Sequence, residues 1–258
     1  MARTHLFELE DQPWFPAFMR DAGTGYISQV VRLTGMMSGA APFLAKALEH
    51  TESRQIVDLC SGAGGPASLM VPAMAEAGHE IDVLCTDLFP NAAALQYTAD
   101  QSNGRVSFHS APVDATNVPP ELQGVRTIFN AFHHFQPDVA RRILEDAARS
   151  GQPIAIFEFV SREPHAVAGM LGLPVAVMAI LPFVRPFHWA WIPLTYLVPL
   201  IPAFIVWDGL VSCLRIYYPD ELAELTAGLD TYDWDFGRFK LPGSPGKGTY
   251  LVGTPRGA

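Results

Sequence analysis

The sequence is short of charge. Only 17% of its 258 residues are Asp, Glu, Lys or Arg, against about a quarter in an ordinary soluble chain. Hydrophobic residues make up 49%, so the fold must hide, or use, an unusual amount of apolar surface. The net charge of -9 and the absence of any Lys and Arg cluster exclude nucleic acid as a partner, because phosphate binding needs concentrated positive charge. Cysteine is equally scarce. Cys60, Cys85 and Cys213 form neither an even framework nor a metal-binding spacing, so they are expected as small buried hydrophobes in a reducing, cytoplasmic compartment. Residues 1–10 lack a basic segment followed by an apolar one, so no export signal is expected. His109, His165 and His188 are scattered, and no metal site is expected.

What is present is organised around Gln55-Ile56-Val57-Asp58-Leu59-Cys60-Ser61-Gly62-Ala63-Gly64-Gly65-Pro66-Ala67. The apolar run reads as a parallel strand covered on both faces. The small residues that follow let backbone approach a ligand, and Pro66 suits a first helical turn. A strand, a tight turn and a helix start predict a polar-ligand site. Gly62 to Ala67 matches the dinucleotide pattern G-x-G-x-x-G/A, a weak signal by itself. Asp58, two residues before the turn, fits another pattern. Followed by Cys60-Ser61-Gly62-Ala63-Gly64, it resembles motif I of the class I S-adenosylmethionine-dependent methyltransferases, with Cys60 in place of the first glycine. Cysteine is small, and the departure is expected to be mild.

Order and spacing extend the resemblance over residues 55–158. Ile81-Asp82-Val83-Leu84-Cys85-Thr86-Asp87 reads as a second strand ending in an acid, about twenty-odd residues on, where open α/β folds hold a ribose. Val106-Ser107-Phe108-His109 is a third strand, and Val113-Asp114-Ala115-Thr116 after it is similar to the motif whose acid meets the adenine amino group. Thr127 to Phe135 is similar to motif IV, with its His133-His134 ending, and Ile154 to Glu158 is the fifth strand. The resemblance implies a seven-stranded, mainly parallel Rossmann-like α/β sheet with an antiparallel final strand, and S-adenosylmethionine as cofactor. Asp58, Cys60, Ser61, Gly62, Gly64, Asp87, Leu88, Asp114, Ala115 and Asn130 are its expected contacts. Residues 67–77, 91–100 and 138–150 are the expected crossover helices, with Gly78 and Gly151 as stops.

Four regions are predicted: an N-terminal helical cap (1–50), the cofactor-binding core (51–165), an apolar insert (166–210), and a closing helix and hairpin (211–258). In the cap, apolar spacing gives helices broken around Gly23-Thr24-Gly25 and Ser38-Gly39. In the insert, 166–184 and 189–207 are uncharged runs long enough to cross a bilayer, but six prolines interrupt them. An interfacial anchor, a transmembrane hairpin and a soluble cover over the acceptor pocket all remain open. Each implies a lipophilic acceptor, a hydrophobic small molecule or lipid. Trp189, Trp191 and Trp207 suit either an interfacial belt or an aromatic core. Asp208 and Arg215 are charges in apolar surroundings that need partners: each other, a group at the sheet edge, or the acceptor. Tyr232 to Phe239 alternates and pairs with Gly248 to Thr254, the closing strands of the resembled sheet.

Methyl transfer from a sulfonium is a displacement that needs alignment, exclusion of water and at most one base. His134 is the expected base, since adjacent strand residues face opposite ways and only one of His133 and His134 should face the acceptor. Glu158 is the lesser candidate, or an acceptor for helix amides. Asn130 is expected to bond backbone near the sulfonium end. The competing readings are a nucleotide-cofactor oxidoreductase and a membrane-attached binding protein without turnover.

Overall fold

The structure, a computed structural model, describes residues 2–244 and 246–257. Seven strands form one sheet: β1 (Gln55–Asp58), β2 (Asp82–Cys85), β3 (Val106–Phe108), β4 (Val125–Phe129), β5 (Ile154–Glu158), β6 (Tyr232–Lys240) and β7 (Lys247–Pro255). Their order is β3-β2-β1-β4-β5-β7-β6. β1 to β5 are parallel, while β7 runs antiparallel to both β5 and β6. β4 and β5 are buried at every position, as expected of strands with a helical layer on each side.

Ten α-helices, numbered in chain order, are assigned among the described residues. In the N-terminal region α1 spans Ala17–Thr34 and α2 Met37–Leu48; the crossovers are α3 (Gly65–Glu76), α4 (Ala92–Asp100) and α5 (Pro137–Ser150). One core packs Leu44 of α2 and Met70 and Met74 of α3 on the sheet; the other packs Ile143 and Leu144 of α5 on the opposite face. After β5 come α6 (Pro164–Gly169), α7 (Leu173–Ile180), α8 (Trp191–Tyr196) and α9 (Leu200–Arg215), then α10 (Pro219–Thr226). Helix α9 runs through the expected boundary at residue 210.

The prolines of the insert start helices more than they break them. Pro164 and Pro174 occupy first turns and Pro199 is the N-cap of α9, positions where no amide hydrogen bond is lost. The stretch Pro164–Phe183 is long and apolar enough to cross a membrane by length and composition. Its inner face is nevertheless packed: Val177 and Leu181 join Ile201 and Phe204 of α9 and Met19, Ala22 and Tyr26 of α1 in a third core. Trp191 is in this core and donates from Nε1 to the Phe18 carbonyl (2.7 Å), whereas Trp189 is 80% exposed.

The expected break at Gly23-Thr24-Gly25 is absent, and α1 passes straight through. Those glycines make room instead. A Cβ on Gly25 would sit 2.3 Å from Val184 Cγ1, and one on Gly23 would sit 3.0 Å from Phe204. The break falls at Gly35, which takes a left-handed φ of 66° as the C-cap of α1. Gly39 lies inside α2, where a Cβ would meet the Lys240 carbonyl at 2.7 Å.

Candidate functional site

The carboxyl ends of β1, β2 and β4 meet in a hydrogen-bonded knot. Asp58 is buried; Ser61 Oγ donates to its Oδ2 (2.6 Å) and Thr127 Oγ1, beside it in the β1–β4 register, to its Oδ1 (2.7 Å). Burial lifts the Asp58 carboxyl to about 7, although both hydroxyls favour its ionised form and the Asp87 charge lifts it further. Asp58 therefore holds the turn together through the two hydroxyls. Asp87, at the end of β2, accepts from the Gly62 amide at Oδ2 (2.8 Å) and from the Phe89 amide at Oδ1 (2.9 Å). It remains half-exposed, with lone pairs left for a diol. Leu88 beside it is exposed. The Val113 amide donates to the Asp87 carbonyl (2.9 Å), bringing the loop after β3 alongside. There Asp114 is exposed and accepts from Thr116, while Ala115 is buried with Phe132 and Cys60 in one apolar cluster.

Size is not what distinguishes Cys60 from the glycine it stands for. Its φ is 59°, the left-handed region that costs a side chain roughly 1–2 kcal/mol. Gly62 and Gly64 continue the bend with φ of 55° and 73°. Helix α1 lies against it: a Cβ on Gly65 would sit 1.8 Å from Ser28 Oγ, whereas one on Gly62 would meet only Thr24, at 3.8 Å. The bend thus leaves room at Gly62 and none at Gly65.

The end of β4 departs from expectation. Asn130 takes a φ of 52° and ends the strand, and Phe132–His134 forms a 3₁₀ turn. His133 and His134 therefore do not face opposite ways; their ring centroids are 4.3 Å apart. Asn130 Oδ1 accepts from the Phe159 amide (3.2 Å), a backbone bond as expected. Glu158 is buried, and its two oxygens accept from the His133 amide and Nδ1, both at 2.9 Å. Both of its oxygens are thus engaged by the 3₁₀ turn.

His134, the expected base, lies among three carboxylates. Its Nδ1 lies 2.8 Å from Asp11 Oδ1 and 3.1 Å from Glu8 Oε2, and its Nε2 lies 3.6 Å from Glu10 Oε1. Burial opposes its charge, but the Glu8 carboxylate and the Asp11 hydrogen bond outweigh that and raise it to about 10. While it holds that proton, the ring has no lone pair with which to act as a base.

Residues 6–11, whose acids had no assigned role, supply the missing partners. Arg215 donates to Asp11 Oδ2 (2.7 Å) and to the Leu6 carbonyl, and lies 3.3 Å from Glu8. Asp208 accepts from the amides of Leu9 (2.7 Å) and Glu10 (3.0 Å), and burial raises it to about 7 against the pull of those amides. Asp208 and Arg215 thus pair with the N-terminal segment and not with each other. The available signal was their spacing. With Ser212, which donates to Glu8 Oε1 (3.0 Å), they lie at i, i+4 and i+7 on one face of α9.

A cavity of about 350 Å³ opens beside Asn130, between α1 and the insert. Tyr26, Ile27, Val30, Phe159, Met170, Leu173 and Phe204 make it mainly apolar, and Glu10, Asn130, Asp208 and Ser212 are among its polar groups. Burial raises the Glu10 carboxyl, with the Glu8 and Asp11 charges adding and His134 opposing.

A scan of protein-family models and a search of curated proteins match nothing. Solved structures do match. The plantazolicin methyltransferase BpumL in complex with SAH is 12% identical, with a TM-score of 0.54 over 93% of this chain and 96% of that one. The same enzyme with a monoazolic desmethylPZN analog and SAH is 13% identical at 0.54, over 92% and 90%. The O-methyltransferase NcsB1 from neocarzinostatin biosynthesis, with S-adenosylmethionine and 2-hydroxy-5-methyl naphthoic acid, is 15% identical at 0.50, over 89% of this chain and 55% of its own. With the sheet order and the glycine bend described above, this likeness establishes that the chain has the fold of the class I S-adenosylmethionine-dependent methyltransferases.

Proposed function

We propose that this chain is an S-adenosylmethionine-dependent methyltransferase whose acceptor is a hydrophobic small molecule or lipid, working at the cytoplasmic face of a membrane. The observation that carries this reading is the position of α1 between two spaces. Thr24 and Ser28 lie against the glycine bend, while Gly23, Tyr26, Ile27 and Val30 line the apolar cavity. A methyl donor on the bend and an acceptor in the cavity would be neighbours.

The bend fits an adenosyl ligand: space is open at Gly62, the Asp87 carboxylate is half-exposed for a ribose, and Asp114 is exposed beside the Ala115 and Cys60 wall. A dinucleotide fits less well. Its pyrophosphate would meet the Asp87 carboxylate, and the Gly62 and Gly64 amides are already given to Asp87 and to the Ser61 carbonyl. S-adenosylmethionine, when bound, supplies an electrophilic methyl carbon on a sulfonium. The chain's own part is to exclude water, orient the acceptor along Tyr26 and Phe204, and take its proton on Glu10, whose raised affinity for protons suits a general base. The neighbours BpumL and NcsB1, solved with SAH or S-adenosylmethionine, support the cofactor.

The outer face of the insert supports membrane contact. Leu171, Val175, Phe183, Trp189 and Leu197 are each more than two thirds exposed, and exposed large apolar side chains gathered in one segment are a mark of interaction surfaces. Since α7 packs on α9 and α1, the insert is proposed to lie in the interface rather than to span the bilayer.

Calorimetry with S-adenosylhomocysteine tests the first part, followed by transfer of labelled methyl into a membrane lipid extract. Binding and transfer are expected, with both lost in Asp87→Ala and transfer alone falling about 100-fold in Glu10→Gln. Binding of NADH without S-adenosylhomocysteine would sink the reading, and binding without transfer would favour a non-catalytic role. Flotation with anionic vesicles should retain the wild-type chain and release a Leu171→Glu/Val175→Glu/Leu197→Glu variant.

A further inference from the structure

We propose that Glu8, His133 and His134 form a buried site for a single divalent transition-metal ion, best matched by zinc, with Asp11 as the fourth ligand. The site is separate from the glycine bend and does not rest on the methyltransferase reading. One potential ligand atom from each of the three residues lies within 4.8 Å of the others. The closest measured approaches are 3.8 Å for His133 Nε2 to Glu8 Oε1, 3.1 Å for His134 Nδ1 to Glu8 Oε2 and 2.8 Å for His134 Nδ1 to Asp11 Oδ1. Tetrahedral ligands at zinc bond lengths sit roughly 3.3 Å apart, so small side-chain shifts would close the shell.

Two further observations point to an occupant. His133 Nε2, on a side chain with 1% of its surface exposed, is turned into the cluster without a hydrogen-bond partner among the described residues, with Glu8 Oε1 3.8 Å away. Buried atoms of that kind are costly unless something satisfies them. The His133 ring is held by Glu158, which takes its Nδ1 and leaves Nε2 as the free donor atom. That carboxylate–imidazole arrangement fixes the tautomer a metal requires. Charge agrees as well: Glu8, Glu10, Asp11 and Glu158 face the imidazoles against one guanidinium, Arg215, and a dication that displaces the His134 proton offsets this negative excess. Two imidazoles with carboxylates, in a small closed space, suit zinc better than oxygen-seeking calcium or magnesium. The ion would fasten the N-terminal segment to the end of β4 and so fix the cavity wall at Glu10.

The test is titration of the chelator-treated full-length protein with zinc chloride alone, by calorimetry and by thermal melting. One equivalent per chain is expected, with a raised melting temperature as mass action requires. Affinity should fall by about 100-fold or more in Glu8→Gln and in His134→Gln, and by about 10- to 100-fold in Glu158→Gln. His109→Gln, in the loop after β3, should leave it unchanged. His134 is partly exposed, so its variant keeps the test decisive if Glu8→Gln fails to fold. No saturable one-to-one uptake, or uptake that His134→Gln leaves intact, overturns the proposal.

Discussion

The rim of the sheet is built in two ways. Around β1 and β2 the parts come from the sheet itself: Ser61 of the first turn and Thr127 inside β4 close on Asp58, and Gly62 closes on Asp87. Along β4 and β5 they are borrowed. His133 and His134 meet acids from residues 8–11, which Asp208 and Arg215 of α9 hold in place. The first half needs only the strands to form, whereas the second needs a segment over a hundred residues away to dock. The acceptor cavity shares the second condition, because Glu10 and Asp208 are in its wall.

The largest expected effect tests that division. Arg215→Ala leaves Glu8 and Asp11 without the guanidinium that faces them, and breaking a buried pair from one side costs about 3–5 kcal/mol. Global stability in urea should fall by that order. Hydrogen exchange at the Leu9 and Glu10 amides should quicken most, since their acceptor Asp208 stays while the anchor beside it goes. S-adenosylhomocysteine affinity should change by less than about threefold. A collapse of that affinity would mean that the two halves of the rim are one unit.

A smaller effect, in pH, belongs to the self-contained half. Asp58 binds its proton more tightly folded, at about 7, than unfolded, near 3.8, because burial disfavours the charge. Between those values the native state holds a proton that the unfolded chain has lost. Its contribution to stability is therefore present at low pH, declines as pH rises from about 4 to about 7, and is flat above. The slope from this one group is at most about 1.4 kcal/mol per pH unit. Asp58→Asn should flatten the wild-type curve between pH 5 and 7, measured as urea midpoints at four pH values. Parallel curves for the two proteins would show that Asp58 does not titrate in that window.

Those two halves were not equally legible in the sequence. The strand, bend and acid of β1 and β2 could be read because each feature lies within a few residues of the next: Asp58 precedes Ser61 by three positions, and Asp87 lies two residues past the end of β2. The crossover helices were legible for the same reason, since Gly151 stops α5 in a left-handed φ of 67° as a C-cap glycine should. The pairing of His134 with Asp11 joins positions 123 apart, and no local pattern reports it. Nor could periodicity tell a glycine that breaks a helix from one that admits a neighbour. Gly25 has helical neighbours either way, and only Val184 against it decides. The 3₁₀ turn at Phe132–His134 was hidden by an asparagine that enters the left-handed region as a glycine would. Asp208 and Arg215 were visible as charges needing partners, but the partners were not.

The smallest effect sharpens the division most directly. Cys60 sits in the bend at a φ of 59°, so a glycine there relieves strain of roughly 1–2 kcal/mol while giving back roughly 0.5–1 kcal/mol of unfolded-state freedom. It also loses the contacts of Sγ with the cluster around Phe132. Cys60→Ala loses those contacts and keeps the strain. The comparison of the two variants cancels the packing loss, and Cys60→Gly should be the more stable by about 0.5–1 kcal/mol in chemical denaturation. An inverted order would mean that the bend relaxes out of the left-handed region when Sγ is removed. Measured again with Arg215→Ala in place, the difference should persist within about 0.5 kcal/mol, as it does for sites that share no partner. A change larger than that would show the strain at Cys60 to be imposed by the docked N-terminal segment instead of by the turn itself.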